Sequence, residues 1–333
     1  MEPQGKQFST VVGDQPITFE TGKLAGQAGG AVTMRVGDTV IFASAVMSNE
    51  TREGTDFFPL SVEYEERLYA GGRIPGSFFR REGRPDDEAV LTARLTDRPL
   101  RPLFDQNMRN EVQIMTFPIS ADFENMIDIM VVNAASAALI ISDIPWAGPV
   151  GAVRIGRING EFIINPTYKQ IAESDLDLRV AGSRDAILMV ESGSNETSED
   201  DMVKAITLAH EAIQPLIDVQ EKMAAEVGKP KRAVEIKTPD QSLFEQVYDK
   251  VKGDITALLD QPHLKAELDA GIAELEEKTV VELAGEDESK VPDAKAAFEE
   301  AYKKVVRSRI LEKGVRPDGR KTDEIRRIWC EVG

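Results

Sequence analysis

FFPLSVEYEERLYAGGRIPGSFFRREGRPDDEAVLTARLTDRPLRPLF, residues Phe57 to Phe104, changes character twice along its length. Its first residues are rich in Val, Phe and Tyr, as in a β-strand, and Gly71 to Pro85 has the Gly, Pro and Arg content of a loop. Three acids then precede an apolar stripe of Leu91 and Leu95, which predicts a helix that begins after Pro85 and ends near Arg101. Along the whole chain the predicted order is strands, helix, strands, helix, which favours an α+β fold or a two-lobed α/β sandwich over a regular βαβ alternation.

Arginine takes the place of lysine throughout this part of the chain. No lysine occurs between Lys23 and Lys169, whereas thirteen arginines do, nine of them from Arg67 to Arg109. Only a guanidinium offers a planar fork that binds phosphate oxygens through two bonds and also stacks on a base. Because the whole chain has a net charge of −18, a local excess of nine arginines over six acids predicts one route for a phosphate-rich polymer. Any single arginine is as consistent with a structural ion pair.

The composition is that of an ordinary globular protein, with 333 residues, 41% of them hydrophobic and 29% charged. One cysteine, Cys330, excludes internal disulfides, and two histidines, His210 and His263, make zinc binding a poor fit. Any metal would need oxygen ligands, as magnesium does. No apolar run reaches the length of a membrane span and the first residues lack a signal-peptide pattern, so we expect a cytoplasmic protein that does not enter a membrane.

Strand and helix patterns continue on both sides of this stretch. Strand patterns cover residues 6–70 and 111–120, and Met126 to Asp143 has the pattern of a buried helix. Further strands lead to a helix predicted from about Ser198 to Glu226. Residues 240–313 hold eighteen acids and eleven bases. They show helical periodicity and almost no strand pattern, which predicts a separate helical domain. From residue 314 onwards the sequence loses this helical pattern, and Cys330 falls in a predicted strand.

Several segments together resemble bacterial and organellar polynucleotide phosphorylases. The stretch quoted above resembles the corresponding sequence of that family at almost every position. The segments AASAAL, GPVGAVRIG, LDLRVAG, LMVES, KKVVRSR and RPDGR recur in the family's order. The resemblance implies a first RNase PH-like domain, α+β and ribosomal protein S5 domain 2-like, over residues 1–235, with lobes at about 6–145 and 146–235. It also implies an all-helical domain over 240–313 and the truncated start of a second RNase PH-like domain over 314–333, so that the chain would be an N-terminal fragment.

The resemblance also implies an activity. The family degrades single-stranded RNA from the 3′ end by reversible phosphorolysis, in which inorganic phosphate is the co-substrate and nucleoside diphosphates are released. A homotrimer encloses an RNA channel, Mg²⁺ is the expected metal, and RNA-degradosome proteins are candidate partners. The resemblance implies phenylalanines that stack on bases and arginines that hold the RNA backbone, which here are Phe78, Phe79, Arg80, Arg81, Arg84, Arg94, Arg98 and Arg101.

By the same resemblance, this copy of the domain is not the main catalytic one. Active copies have a serine-rich helix start that binds phosphate, and two aspartates six residues apart that are followed by a lysine. Here the helix begins Met126-Ile127-Asp128, and Asp177 is present, but Ile171 and Arg179 occupy the positions of the first aspartate and the lysine. The catalytic residues and the Mg²⁺ site are therefore expected beyond Gly333, in the second RNase PH-like domain, and Asp177 is predicted to be structural.

Two other functions remain open. One is a stand-alone RNase PH or exosome-type exonuclease, although such chains lack the helical insertion at 240–313. The other is a noncatalytic scaffold whose arginine loop binds an acidic protein or a nucleotide messenger. Affinity for single-stranded RNA that falls with salt and with Arg80→Ala or Arg81→Ala would separate RNA binding from the scaffold.

Overall fold

The structure is a computed structural model that describes residues 4–52, 54–55, 57–76, 83–236, 240–261, 263–285 and 287–332. The chain divides into two compact units, residues 1–236 and residues 237–333. Both β-sheets belong to the first unit, whereas the second unit is helical.

A six-stranded sheet forms the first half of the first unit. Its strands are β1 (Lys6–Val12), β2 (Gln15–Thr21), β3 (Gly30–Val36), β4 (Thr39–Thr51), β5 (Leu60–Tyr64) and β6 (Asn110–Ser120). They lie in the order β1-β2-β3-β4-β6-β5, and only β5 and β6 pair in parallel. β5 is therefore an edge strand, and helix α1 (Asp87–Leu100) packs beside it. The strands predicted over residues 6–70 and 111–120 are present.

Helix α2 (Ile127–Ile141) forms the centre of the first unit, as its apolar sequence predicts. Nearly all of its side chains are buried, and it packs on β3 and β4. Gly30 permits this close approach, because a Cβ at that position would lie 2.1 Å from the carbonyl oxygen of Ala138. The Asn133 side chain exchanges two hydrogen bonds, of 2.9 and 2.8 Å, with the backbone of Ala152, which ties α2 to the second sheet.

The second sheet has four antiparallel strands. They are β7 (Gly151–Ile158), β8 (Glu161–Ile164), β9 (Leu176–Gly182) and β10 (Ile187–Ser194), in the order β10-β9-β7-β8. Three helices complete the unit: α3 (Tyr168–Glu173), α4 (Glu199–Ala212) and α5 (Gln214–Val227).

The single helix predicted from Ser198 to Glu226 is wrong, since the structure has two helices there. Ser198 does cap the first of them, because its hydroxyl accepts a hydrogen bond from the backbone N–H of Asp201 (3.2 Å). The break falls at Ile213, because Pro215 in the first turn of α5 has no N–H to donate to the carbonyl of Glu211.

Three helices form the second unit, as the periodicity predicts: α6 (Gln241–Asp260), α7 (Lys265–Ala284) and α8 (Val291–Lys313). α8 ends at Gly314, which has a φ of 65°. The strand predicted around Cys330 is wrong for the described residues 314–332, where one bridge joins Val315 to Lys321. A lone segment without a neighbouring strand has no partner for its backbone hydrogen bonds. None of the described helices has both the length and the apolar character that crossing a membrane requires.

Candidate nucleic-acid interface

Helix α1 begins where the sequence predicts because its first turn is capped. The Asp86 carboxylate accepts a hydrogen bond from the backbone N–H of Ala89 (2.9 Å), and two further acids lie in the first turn. The predicted apolar stripe is only half correct, since Leu95 is buried but Leu91 is 63% exposed. The buried face of α1 instead includes small residues such as Thr92 and Thr96, which apolar periodicity does not detect.

The eight residues predicted to bind RNA fall into three groups. Four of them lie outside the described residues: Phe78, Phe79, Arg80 and Arg81. Two are exposed, and neither guanidinium has an ion-pair or hydrogen-bond partner in the part of the chain that the structure describes: Arg84 and Arg94. The other two are bound to carboxylates: Arg98 and Arg101.

Arg98 and Arg101 both connect α1 to a neighbouring strand. The Nη1 atom of Arg98 lies 2.6 Å from Oε2 of Glu191 on β10. Arg101 donates to both carboxylate oxygens of Asp97, at 2.6 and 2.5 Å, and to the carbonyl of Leu60 at the start of β5 (3.1 Å). The hydrogen bond with Asp97 raises the pKa of Arg101. Because a carboxylate already compensates each charge, these two arginines attract a phosphate less strongly than Arg84 and Arg94 do.

A cleft of about 620 Å³ lies between β5 and α1, and Arg94 is one of its lining residues. We call it the β5–α1 cleft. Its uncharged lining residues are Val62, Tyr64, Pro85, Ala89, Val90 and Ala93. Its charged lining residues are Glu63, Glu65, Arg94, Asp97 and Arg98.

Four charged side chains meet where α2 lies against the second sheet, and we call them the arginine–aspartate cluster: Asp128, Arg154, Asp177 and Arg179. Arg154, which is 4% exposed, binds both oxygens of Asp177 at 2.6 and 2.7 Å and one oxygen of Asp128 at 3.0 Å. The Nε atom of Arg179 lies 2.6 Å from Asp128, and its Nη1 atom lies 3.3 Å from Asp177. Two positive and two negative charges cancel within the cluster.

The register of the sheet explains why the cluster needs both aspartates. Arg154 on β7 and Arg179 on β9 are direct partners across the antiparallel pair, so two positive charges face each other. Like charges at such positions are destabilising. Burial alone would lower the pKa of Arg179, but Asp128 and Asp177 outweigh it and hold that pKa above its usual value.

A magnesium ion does not fit the arginine–aspartate cluster. Its two carboxylates are held by guanidinium groups, and Mg²⁺ needs oxygen ligands that such pairs do not release. The described residues contain no group of three or more His, Cys, Asp or Glu side chains placed to hold a metal ion. Both carboxylate oxygens of Asp177 are instead occupied by ion pairs with Arg154 and Arg179.

Sequence reasoning missed Arg154 and the neighbouring Arg157. Arg157 binds Asp175 through two hydrogen bonds, of 2.9 and 2.8 Å, and Asp201 through one of 2.8 Å. The available signal was an arginine within an otherwise apolar strand, VGAVRIG, where a charge must be paired if it is buried.

Three family models match the chain. The model of the 3′ exoribonuclease family, domain 1, matches residues 13–145, and that of the same family's domain 2 matches residues 148–212. The model described as polyribonucleotide nucleotidyltransferase, RNA binding domain, matches residues 242–321. Among solved structures, rice (Oryza sativa) Rrp46 has a TM-score of 0.50 and 14% identity, covering 67% of this chain and 96% of that one. The first unit thus has the two-part fold of 3′ exoribonucleases, which confirms the predicted α+β, RNase PH-like class.

Curated relatives match the chain from end to end. The polyribonucleotide nucleotidyltransferase of Thermomicrobium roseum is 46% identical and aligns with 100% of this chain and 43% of its own length. That of Thermus thermophilus is 46% identical and aligns with 99% of this chain and 47% of its own length. The chain belongs to the polyribonucleotide nucleotidyltransferase family, as its motifs predict. It spans about half the length of these relatives.

Proposed function

We propose that this chain binds single-stranded RNA for an enzyme that degrades RNA from the 3′ end by phosphorolysis, and that the main catalytic site lies outside it. In that reaction an oxygen of inorganic phosphate attacks the terminal phosphodiester phosphorus. The bond to the 3′ oxygen of the preceding nucleotide breaks, that oxygen takes up a proton, and a nucleoside diphosphate leaves. The proposal includes a homotrimeric ring in the cytoplasm, RNA-degradosome partners, and Mg²⁺ bound outside this chain.

The arginine–aspartate cluster is the observation that supports placing the main catalytic site outside this chain. Phosphoryl transfer needs cations that stabilise developing negative charge, and carboxylates that hold the metal. In the cluster, Asp128 and Asp177 form ion pairs with Arg154 and Arg179. Neither carboxylate is therefore free to bind a metal, and neither guanidinium is free to bind phosphate. This site stabilises the fold and does not perform the reaction.

The exposed arginines support RNA binding by the same chain. Arg84 and Arg94 are uncompensated charges on a protein whose net charge is −18, so phosphate is attracted there and repelled over most of the remaining surface. The proposal extends to Phe78, Phe79, Arg80 and Arg81, which lie three to six positions before Arg84 in the sequence and outside the described residues. Their phenyl rings would stack on bases and their guanidinium groups would bind the backbone.

In the helical unit we assign RNA contact to α8, since the family model that matches this part of the chain is described as RNA binding. The second half of α8 contains five bases: Lys303, Lys304, Arg307, Arg309 and Lys313. Arg309 pairs with Asp260, and the Lys304 ammonium lies 4.4 Å from the centre of the Tyr248 ring. Arg307 is exposed and has no partner among the described residues, so it is the base best placed to meet a phosphate.

The test is binding of a fluorescein-labelled oligo(A) to this chain at several salt concentrations. The double variant R84A/R94A should bind about tenfold more weakly, and the slope of log affinity against log salt should shrink by about 1.4, since each phosphate contact on a single strand contributes about 0.7. The control R35A/R184A removes the same charge elsewhere in the first unit and should leave both quantities nearly unchanged.

Two results would overturn the proposal. One is equal binding by R84A/R94A and the unsubstituted chain. The other is displacement of oligo(A) by poly-glutamate as efficiently as by unlabelled RNA, which would favour a scaffold that binds acidic proteins.

A further inference from the structure

The β5–α1 cleft combines apolar walls with a volume suited to a small ligand. Val62 and Tyr64 on the strand and Val90 and Ala93 on the helix line it. Val90 remains 46% exposed, although it points to a concave surface rather than to open solvent. Ligand sites are typically mostly apolar clefts of about 300–1,000 Å³ with a few polar groups, and this cleft of about 620 Å³ lies within that range.

Four of the five charged residues that line the cleft have partners. Asp97 binds Arg101 and Arg98 binds Glu191, as described above. Glu65 is paired with Arg67, whereas Glu63 accepts a hydrogen bond from the neutral side chain of Gln113 (3.0 Å) and keeps its negative charge.

The fifth charged residue is Arg94, which has no partner in the part of the chain that the structure describes. Its guanidinium is therefore an uncompensated cation at the edge of an apolar cleft. A ligand with one flat apolar part and one anionic part matches this arrangement, and a nucleotide has both.

We infer that the β5–α1 cleft binds a single nucleotide, with the base against Val62, Val90 and Ala93 and a phosphate on Arg94. The inference rests on the proposed function and deepens it, because it places one nucleotide of the RNA strand beside β5. A free nucleoside monophosphate has the same chemistry and enters the same cleft. Because apolar contacts do not read the hydrogen-bonding edges of a base, the site accepts any base that fits.

The first test fills the cleft without changing its charge. Val90→Trp places a large side chain among the walls, and oligo(A) should then bind about fivefold more weakly. The salt slope should stay as it is in the unsubstituted chain, since no phosphate contact is removed. The matched control is Val203→Trp, because Val203 is an exposed valine on α4 that does not line the cleft.

The second test uses the methyl NMR signals of Val62 and Val90 in this chain. Adenosine monophosphate and oligo(A) should both shift these signals, whereas inorganic phosphate and poly-glutamate should not. Signals that respond equally to poly-glutamate would overturn the inference in favour of an acidic peptide.

The two experiments separate failure of the inference from failure of the proposed function. If V90W binds oligo(A) as the unsubstituted chain does, while R84A/R94A binds weakly, the cleft takes no base and RNA binding stands. If adenosine monophosphate shifts the methyl signals but oligo(A) does not bind, the cleft is a site for free nucleotides and the proposed function fails.

Discussion

At the scale of single residues, the arginine–aspartate cluster supports the proposal that the main catalytic site lies outside this chain. Arg154 has almost no solvent exposure, and three of its hydrogen bonds go to Asp128 and Asp177. Removing one member of a buried ion pair leaves an uncompensated charge, which typically costs about 3–5 kcal/mol. Under the proposed function these carboxylates contribute to stability and not to metal binding, because their ion pairs join the second sheet to α2.

Arg154→Met should lower the free energy of unfolding by about 3 kcal/mol or more, since Asp177 would lose its bidentate partner in a poorly solvated site. Urea denaturation followed by circular dichroism measures this loss. Lys204→Ala is the control, because Lys204 is exposed and its pair with Asp201 should contribute little to stability. Equal midpoints for the two variants would show that the cluster does not stabilise the domain.

Asp122 predicts a pH dependence of stability. Burial alone would raise its pKa, but hydrogen bonds from the backbone N–H groups of Asn125 and Glu124, both 2.9 Å, and from the Asn125 side chain hold it well below the usual value. A carboxyl whose folded-state pKa is depressed contributes its full stabilisation above its unfolded-state pKa, and this is lost as pH falls towards the folded-state value.

Asp122→Asn should therefore lower the free energy of unfolding by about 1–2 kcal/mol at pH 7 and by progressively less below about pH 4. Thermal or urea unfolding across pH 2.5 to 7 measures the difference. Asp185→Asn, at an exposed carboxylate, should show no such trend. A difference that is constant over this range would contradict the account of Asp122.

At the scale of elements, α1 shows what a sequence can and cannot predict. Its start at Asp87 follows from the cap residue and the acidic first turn, and the Asp97–Arg101 pair follows from a spacing of four. The pair between Arg98 and Glu191 does not follow, because its members are separated by 93 positions and meet only when β10 is placed beside α1. A single sequence shows which residues carry charge but not which distant residue compensates it.

Strand β7 and the α4–α5 break illustrate the same limit. The apolar pattern of β7 predicts a strand, but the role of Arg154 depends on its partner Arg179 in the register with β9 and on Asp128 of α2. Apolar periodicity continues through Pro215 and so does not reveal the break, whereas the missing N–H of that proline does.

Glu191→Ala should strengthen RNA binding, because it frees Arg98 on the same face of α1 as Arg94. We expect oligo(A) affinity to rise about two- to fivefold, and the salt slope to grow by about 0.7, as one further phosphate contact predicts. Glu161→Ala, which removes one negative charge from an exposed position on β8, is the matched control and should change neither quantity by as much. Equal effects of the two variants would mean that Arg98 does not reach the RNA.

At the scale of the whole molecule, the elements, the kind of ligand and the family can each be predicted from a different feature of the sequence. Strand and helix periodicity predicts the elements, the charge distribution predicts an anionic ligand, and the quoted motifs predict the family that the curated relatives then show. What the sequence could not supply is the environment of Asp177, whose charge is compensated by Arg154 and Arg179 in the structure.

Phosphorolysis by this chain itself tests the central claim most directly. The purified 333-residue chain is incubated with poly(A), inorganic phosphate and Mg²⁺, and release of nucleoside diphosphate is measured against a phosphate-free blank. We predict no release above the blank under conditions in which the chain binds oligo(A). Phosphate-dependent release that Asp177→Ala abolishes without unfolding the protein would contradict the account, because it would show that the arginine–aspartate cluster is a working catalytic site.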